Sequence, residues 1–261
     1  MSSPDTKGLS APATTRAVIE LLAELDWSRA RVADVGAGRG HLCAVLGGWL
    51  RERHGLDPRD HLLPCDTHPE TFQAPGIVCA RAVPGRPLPY ADASCDAVVS
   101  IEVIEHVEDQ FAFLRELARI ARPGAPVVVT TPNVLSLTSR VRTLLCGFPE
   151  LFDPLLWRDG DERLLSGHIH PIHPYFLGLG ALRAGLAEPC LFPDRRKRSA
   201  LLWAVVLAPA LLLARTAHAA HLARRSPDVL AQNRSLLDAL NGLDMLTART
   251  AILRARKPAE R

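Results

Sequence analysis

The chain has 261 residues, of which 48% are hydrophobic and 23% are charged. This composition excludes a disordered or low-complexity protein, because the apolar content is large enough to offset the entropy lost on folding. Six cysteines without a CxxC pair exclude a cysteine-ligated zinc site and indicate no disulfide framework. The first twenty residues contain no apolar run suited to export, so we expect a protein of the reducing cytoplasm.

Charge is unevenly distributed along the chain. Residues 195–261 carry 13 Lys/Arg and 4 Asp/Glu, a net charge of +9, whereas residues 1–194 carry a net charge of −6. A basic segment that follows an acidic one indicates an anionic partner for the basic part, either a membrane surface or a nucleic acid.

Hydrophobic periodicity predicts helices that alternate with short apolar strands, as in an α/β sheet with right-handed crossovers. A helix over residues 14–25 precedes a strand over 31–35, which runs directly into a glycine-rich loop. The remaining predicted elements are helices over 41–53, 111–121 and 175–187, strands over 61–66, 96–100, 126–131 and 188–193, and a closing strand within 246–257. The predicted domains are a core of residues 1–194, an insertion of residues 195–240, and a closing strand and tail of residues 241–261.

The insertion combines basic clusters with an uncharged, almost wholly apolar run from Ala200 to Ala214. Fifteen residues interrupted by Pro209 are too few for a spanning helix, which needs about 20. Two alternatives remain, a buried core helix and a helix that lies in a membrane interface. The flanking basic residues favour the second, a peripheral contact of residues 195–225 with the inner face of a membrane.

The loop after the first strand reads Gly36-x-Gly38-x-Gly40 and leads into a helix. Such a junction brings backbone N–H groups close to a ligand with no side chain in the way. It is not the dinucleotide fingerprint GxGxxG, because the sixth position is histidine.

Two acids accompany the loop: Asp34 can meet a cation at the end of the first strand, and Asp66 ends the next strand, where an acid accepts hydrogen bonds from a ribose diol. Two acids without a Walker lysine suit a positively charged adenosine compound. The predicted cofactor-binding residues are Asp34, Gly36, Ala37, Gly38, Gly40, Asp66 and Thr67.

The combined motifs resemble class I S-adenosylmethionine-dependent methyltransferases. They are Val32–Gly40 (VADVGAGRG), Leu88–Asp96 (LPYADASCD) followed by AVVSIEVIEHVED, Arg122-Pro-Gly124, and the TTPN of Thr130–Asn133. The resemblance covers residues 14–190 and resumes at the closing strand. It implies a Rossmann-like, seven-stranded, mostly parallel sheet with helices on both faces, here with a helical insertion before the last strand. It also implies S-adenosylmethionine across the carboxyl ends of the first strands.

The chain departs from this pattern at Arg81–Pro87, where many such enzymes carry an acid that holds the adenine amine. Adenine recognition by backbone groups is therefore expected.

A cluster of carboxylates and imidazole follows the strand over 96–100. Glu102, Glu105 and His106 lie at i, i+3 and i+4, with Asp109 at i+7, so they share one face if a helix begins directly after the strand. Such a face can bind a divalent metal, which lowers the pKa of an acceptor hydroxyl and positions its oxygen. The alternatives are a glutamate that caps a helix and a histidine that acts as general base or packing residue.

Two subfamilies have a similar segment. Ubiquinone-pathway O-methyltransferases resemble it in Glu-x-x-Glu-His, and small-RNA 3′-end 2′-O-methyltransferases share EVIEH and TPN and add a later metal-binding histidine. His168 is the nearest match to that histidine and His170 the second choice. The resemblance implies a site for Mg²⁺ or Mn²⁺ formed by Glu102, Glu105, His106 and His168, with His106 and Glu102 as the catalytic residues.

The acceptor is inferred from composition. Aromatic residues make up 5% of the chain, few for stacking on single-stranded RNA, so a nucleic acid is disfavoured as partner. An apolar insertion suits a hydrophobic or lipid-linked small molecule, which favours O-methylation of such an acceptor. The alternatives are a metal-dependent RNA 2′-O-methyltransferase and a non-catalytic nucleotide-binding module.

Overall fold

The computed structural model describes residues 12–155 and 167–259. Residues 1–11, part of the segment in which no export leader is predicted, lie outside this range. The strands are β1 (Val32–Val35), β2 (Leu62–Asp66), β3 (Ala80–Arg81), β4 (Ala97–Ile101), β5 (Pro126–Pro132), β6 (Ala187–Pro193) and β7 (Thr250–Arg256).

These strands form one sheet in the order β3-β2-β1-β4-β5-β7-β6. The five strands from β3 to β5 pair in parallel, and β7 runs antiparallel to both of its neighbours. The predicted seven-stranded, mostly parallel sheet is confirmed. Because β1, β2, β4 and β5 are parallel, their carboxyl ends meet at one edge, where ligands bind in open α/β sheets.

Helices cover both faces of the sheet. They are α1 (Pro12–Leu21), α2 (His41–Trp49), α3 (Pro58–His61), α4 (Gln110–Ile120), α5 (Leu137–Cys146), α6 (Pro174–Arg183), α7 (Arg198–Arg225), α8 (Pro227–Leu240) and α9 (Leu243–Thr247). Leucines of α4 and α6 pack on one face, and apolar residues of α1 and α2 pack on the other.

The central strands are buried on both sides, as their valine-rich sequences predict. In β5, Val127 and Val129 belong to the core under α4 and α6, while Val128 belongs to the core under α1 and α2. This alternation follows from the two-residue period of a strand and accounts for the continuous apolar run.

Several predicted bounds shift. The helix predicted over 175–187 ends at Arg183, because Gly185 takes a left-handed backbone conformation and β6 begins at Ala187. The closing strand predicted within 246–257 begins at Thr250, because residues 243–247 form α9.

The insertion is a pair of helices, α7 and α8, between β6 and β7. Helix α7 continues through Pro209 for 28 residues, and Ala200 is its one buried residue. The alternative of a buried core helix is therefore wrong. By length and composition α7 passes as a membrane-spanning candidate, since its most apolar window has a mean hydropathy of 1.9 and is 6% buried.

Asn133 connects the end of β5 to the last part of the chain. Its buried side chain donates to the carbonyls of Met245 (2.7 Å) and Ala248 (3.1 Å) and accepts from the Leu135 amide (3.0 Å). The asparagine of the TTPN motif thus holds α9 and the start of β7 against β5.

Replacing Asn133 by alanine leaves two carbonyls and one amide without these partners in a buried site. We expect Asn133→Ala to lower the free energy of unfolding by roughly 2–4 kcal/mol, measured by urea denaturation. Asn241→Ala is the control, because its half-buried amide makes one bond, to the Leu237 carbonyl, and should cost less than about 1 kcal/mol. Equal losses in the two variants would contradict this role for Asn133.

Candidate active site

The glycine-rich loop folds back on the end of β2. The amides of Gly36 and Ala37 donate to the Cys65 carbonyl (2.8 and 3.1 Å), and the Gly38 amide donates to Asp66 Oδ2 (2.8 Å). The expectation that these amides face a ligand is therefore wrong for this conformation, because they bind within the protein.

The glycines instead provide room. A Cβ atom on Gly36 would lie 2.3 Å from Val103, so the loop packs directly on the segment after β4. A Cβ atom on Gly38 would meet no atom within 4 Å, so Gly38 faces open space at the carboxyl edge of the sheet. Both residues have positive φ angles, +78° and +51°, which glycine adopts without a Cβ penalty.

Asp34 lies beneath the loop and is almost fully buried. The Cys43 thiol donates to its Oδ2 at 3.4 Å. Burial raises the pKa of Asp34 to about 7, and the negative charge of Asp66 adds to the rise. A cation bound nearby would favour the ionised form of this carboxyl group.

Asp66 and Thr67 form the other side of the loop. Asp66 Oδ1 accepts from the His68 amide (2.8 Å), and the Thr67 carbonyl accepts from Arg81 (2.8 Å), which also pairs with Glu70 (3.0 Å). Asp66 therefore lies at the end of β2, as predicted. Arg81 lies at the start of the stretch in which many of the similar enzymes carry an adenine-binding acid.

The predicted helix face after β4 is not formed. Glu102 has a left-handed backbone (φ 53°), and its amide donates to Thr130 Oγ1 (3.0 Å). A single helical turn, Ile104–His106, follows before α4 begins at Gln110. Asp109 caps α4, accepting from the Ala112 amide at 2.7 Å.

Glu102 is consequently separated from the metal-ligand set predicted for it. Its Oε1 lies 3.4 Å from an Arg249 nitrogen and 3.4 Å from Thr250 Oγ1, at the start of β7. The left-handed turn directs this carboxylate to β7, where a guanidinium balances its charge.

Glu105, His106 and His168 do come together. One ligand atom from each lies within 4.8 Å of the others. Glu105 is fully buried, and neither of its carboxylate oxygens has a hydrogen-bond partner within the described residues. Buried polar atoms are rarely left unpaired, so this carboxylate indicates a site for a ligand.

Both imidazoles are oriented through Nδ1. His106 Nδ1 lies 2.9 Å from the Gly167 carbonyl, and His168 Nδ1 lies 2.7 Å from the Leu151 carbonyl. A carbonyl only accepts, so each Nδ1 carries the proton and each Nε2 presents a lone pair. This is the arrangement in which histidine binds a metal or takes up a proton.

Burial shifts the ionisation of the cluster toward neutral forms. Burial raises the pKa of Glu105 to about 8, and the Glu102 charge adds to the rise. Burial also lowers the pKa of His106, partly opposed by the Gly167 carbonyl. A divalent cation would reverse the first effect by favouring the carboxylate.

The histidine-rich segment of residues 168–173 is hydrogen-bonded to the helical turn Ile104–His106 and to Val107, which follows it. The amides of Ile169 and His170 donate to the Glu105 carbonyl (2.9 and 3.1 Å), and His170 Nδ1 donates to the Val107 carbonyl (3.1 Å). His173 caps α6 by accepting from the Tyr175 amide. Of the two candidates for the later histidine, His168 is thus the one that joins the cluster.

One part of the site escaped prediction, the loop of residues 147–153 after α5. The Phe152 ring lies 5.2 Å from the His168 ring, and Leu151, which orients His168, has a left-handed backbone (φ 71°). The two aromatic residues of the loop, Phe148 and Phe152, were its available signal.

The three residues suit a divalent ion. Ligand atoms around one ion lie roughly 3–4.4 Å apart, so a small side-chain rotation closes the 4.8 Å group. With Glu102 outside the set, the donors are two imidazoles and one carboxylate. Imidazole suits Fe²⁺ or Zn²⁺, whereas carboxylate oxygens suit Mg²⁺ or Mn²⁺, and Mn²⁺ binds a nitrogen site less tightly than Fe²⁺ or Zn²⁺.

Residues 33–129, from β1 through most of β5, match the family model described as a methyltransferase domain. This part of the chain is therefore similar to methyltransferase domains. The match and the strand order agree with the resemblance to class I enzymes and support S-adenosylmethionine as the cofactor.

Curated relatives agree on the enzyme class. The chain is 55% identical over 106 residues to norajmaline N-methyltransferase from Rauvolfia serpentina, covering 37% of this chain and 34% of that protein. It is 35% identical over 104 residues to a ubiquinone biosynthesis O-methyltransferase from Rhizobium etli, covering 40% and 41%. The chain thus spans less than half the length of these relatives, and their names include both N- and O-methyltransferases.

Solved structures share the fold. A methyltransferase from Thermotoga maritima aligns with a TM-score of 0.54 and 15% identity, covering 94% of this chain and 87% of that one. A methyltransferase from Mesorhizobium loti aligns with a TM-score of 0.51 and 16% identity, covering 95% and 100%.

Two glycine variants distinguish a glycine that leaves space for the cofactor, Gly38, from a glycine that allows close packing within the protein, Gly36. Gly38→Ala should leave thermal unfolding nearly unchanged, apart from about 1 kcal/mol for its left-handed backbone, and weaken S-adenosylmethionine binding more than about tenfold. Gly36→Ala should destabilise the fold by roughly 1–3 kcal/mol more, because its methyl group overlaps Val103. Calorimetry and thermal unfolding measure both, and wild-type affinity in Gly38→Ala would contradict the assignment.

Asp34 makes stability depend on pH. Its folded pKa, about 7, lies above the ordinary aspartate value of 3.8, so between these values the folded state retains a proton that the unfolded state loses. Stability therefore falls as pH rises through this range, and the penalty is complete above about pH 7.

Asp34→Asn cannot ionise and should be more stable than wild type at about pH 8, by at most about 4 kcal/mol, with the gain vanishing near pH 4. Urea denaturation of cofactor-free protein at several pH values measures this. Asp60→Asn, at an exposed position, is the control. Parallel pH profiles for Asp34→Asn and wild type would refute the effect.

Proposed function

We propose that the chain transfers a methyl group from S-adenosylmethionine to a hydroxyl oxygen of a hydrophobic or lipid-linked small molecule. The observation that carries this proposal is the cluster of Glu105, His106 and His168 beside the glycine-rich loop. Val103, which packs on Gly36, lies two residues before Glu105, so cofactor loop and cluster adjoin.

The loop and its acids hold the cofactor. Gly38 leaves space for close approach, and Asp66 at the end of β2 stands where a ribose diol is bound in such folds. Asp34 supplies negative potential from below. S-adenosylmethionine, when bound, supplies an electrophilic methyl group and leaves as S-adenosylhomocysteine.

The cluster prepares the acceptor. As the oxygen–methyl bond forms and the sulfur–methyl bond breaks, the hydroxyl must lose its proton. Without a metal ion, His106 Nε2, whose lone pair is left free by the Nδ1 bond to Gly167, is the group placed to take it. If a divalent ion were present, Glu105, His106 and His168 would hold it, with His106 Nε2 as a ligand and no longer a base. The ion would lower the pKa of the acceptor hydroxyl, so that water could take the proton.

This chemistry favours oxygen over nitrogen as the acceptor atom. A neutral amine attacks through a lone pair that is already available, whereas a hydroxyl gains from losing its proton. A fully buried carboxylate with two oriented imidazoles fits the second need. Glu102, which follows β4 and pairs with Arg249 just before β7, remains a candidate catalytic residue.

A second candidate is a metal-dependent RNA 2′-O-methyltransferase, which the same cluster supports. The low aromatic content and the exposed apolar helix α7 argue for a hydrophobic acceptor. A non-catalytic nucleotide-binding module would need neither the buried carboxylate nor the oriented imidazoles.

The experiment supplies methyl-tritiated S-adenosylmethionine and Mn²⁺ to the full chain, with an organic extract of cell membranes or with short RNA as the acceptor source. We expect label in the organic phase, as base-stable methyl ethers. Label in RNA that falls with salt would establish the second candidate. Calorimetric binding of neither S-adenosylmethionine nor S-adenosylhomocysteine would overturn both.

The metal site is tested by Glu105→Gln, which keeps the shape of the side chain and removes its charge. We expect Mn²⁺ affinity, measured by electron paramagnetic resonance, to fall at least about tenfold, while affinity for S-adenosylmethionine stays unchanged. Thermal stability should be retained or rise, most of all above about pH 8, because the variant has no buried carboxyl group to ionise.

Glu108→Gln is the matched control, since Glu108 is exposed three residues away and lies outside the cluster. Equal Mn²⁺ affinity in both variants would refute the metal site. His106 would then remain as the general base.

A further inference from the structure

One face of α7 exposes large apolar side chains to solvent. Leu202, Val205, Val206, Leu212 and Leu213 are between 59% and 76% exposed. They stand at positions i, i+3, i+4, i+10 and i+11, which places them on a single stripe of the helix. The half-buried Trp203, Leu207 and Leu211 lie on the opposite side, so α7 uses that side to contact the protein. The outward stripe is therefore not core surface.

A second exposed apolar group lies on the element beside α7. Leu144 and Leu145, at the end of α5, are 84% and 74% exposed, and Phe148 follows them in the loop. Helix α5 packs against α7, and Glu150 pairs with Lys197 at the start of α7 (2.6 Å). Neighbouring apolar groups of this extent mark an interaction site on a folded protein.

The charges beside the stripe identify its partner. Arg198 begins α7, and Arg224 and Arg225 end it, with no acid among residues 195–225. An apolar stripe between two basic ends complements the anionic headgroups and acyl chains of a bilayer surface. A second copy of the chain placed antiparallel on the stripe would bring arginines against arginines, which is unfavourable.

The dimensions and contacts of α7 favour a helix that lies along the bilayer surface over one that crosses the bilayer. Its uncharged run, Ala200–Ala214, extends about 22 Å, less than the hydrocarbon core of about 30 Å. Arg215 pairs with Asp238 of α8 (3.0 Å), and Leu236 of α8 is buried beside Gly178 of α6. Crossing the bilayer would separate α7 from α5 and α8.

The surface adjoins the candidate site. Glu150, paired with Lys197, is next in sequence to Leu151, whose carbonyl orients His168. Phe152 packs on the His168 ring. A molecule dissolved in the leaflet that the protein contacts would therefore meet the loop of residues 147–153 before the Glu105–His106–His168 cluster.

We propose that α7 and the end of α5, through Leu144, Leu145 and Phe148, form a docking surface for an anionic membrane, with the active site opening beside it. The membrane contact goes beyond the methyl transfer proposed above and stands without it. It provides a route by which a lipid-soluble acceptor reaches the cluster without passing through water.

The test is flotation of the full chain with vesicles of phosphatidylcholine alone and of phosphatidylcholine with phosphatidylglycerol. We expect binding to the anionic vesicles, weakened by salt. Val205→Glu with Leu213→Glu should reduce it more than about tenfold, since both residues lose apolar contact and gain like charge. Leu144→Glu with Leu145→Glu should reduce it also, and Arg224→Gln with Arg225→Gln should weaken the preference for anionic lipid.

Val78→Glu with Val83→Glu is the matched control, because these exposed valines lie near β3 and should leave flotation unchanged. Calorimetry with S-adenosylmethionine confirms that each variant is folded and measures the proposed cofactor separately. Absence of flotation, or flotation insensitive to α7, overturns the docking surface. Membrane binding that resists alkaline extraction would also overturn it, because it indicates a helix that crosses the bilayer. A dimer of the chain that Val205→Glu with Leu213→Glu disperses would overturn it too, because it indicates that a second copy covers the stripe.

Discussion

The contact between Gly36 and Val103 holds the two halves of the candidate site together. Gly36 belongs to the loop after β1, and Val103 follows β4, the neighbouring strand. Because glycine has no side chain, the backbone after β4 approaches the loop closely enough for Val103 to occupy that space. The approach positions Glu105 and His106 beside the loop, and the segment of residues 167–170 then hydrogen-bonds to their turn. The glycine-rich loop and the cluster of Glu105, His106 and His168 thereby share one edge of the sheet.

That edge is built at a cost in stability. Asp34 and Glu105 are buried carboxyl groups whose pKa values are raised, and Ser100 and Thr131 bury hydroxyl groups that lack partners within the described residues. Glu102 and Leu151 hold left-handed backbones that non-glycine residues seldom adopt. The surrounding valine-rich strands and leucine-rich helices supply the burial that offsets these groups. Raised carboxyl pKa values of this kind are common at the functional sites of enzymes.

The sequence predicted the features that depend on local pattern. Apolar strands alternating with helices predicted the sheet, and the loop Gly36–Gly40 was correctly placed after its first strand. The directions of the side chains after β4 could not be predicted. The spacing of Glu102 and Glu105 places them on one face only if both lie in a helix, and the left-handed backbone at Glu102 means that no helix begins there. The exposure of α7 could not be predicted either, since an apolar run has the same composition whether it lies in a core or on a surface. Whether loop amides face outward depends on the Cys65 carbonyl, which lies in a different strand.

The order of the strands has a consequence for synthesis. In the sheet, β7 lies between β5 and β6, although it is made after both and after the two helices of the insertion. During translation β6 therefore has no neighbour to pair with until the final strand emerges, and Arg249, which balances Glu102, arrives with that strand. The apolar helix leaves the ribosome while the sheet is still open. If α7 docks on lipid as proposed, that contact would therefore form before β7 completes the sheet and brings Arg249 to Glu102.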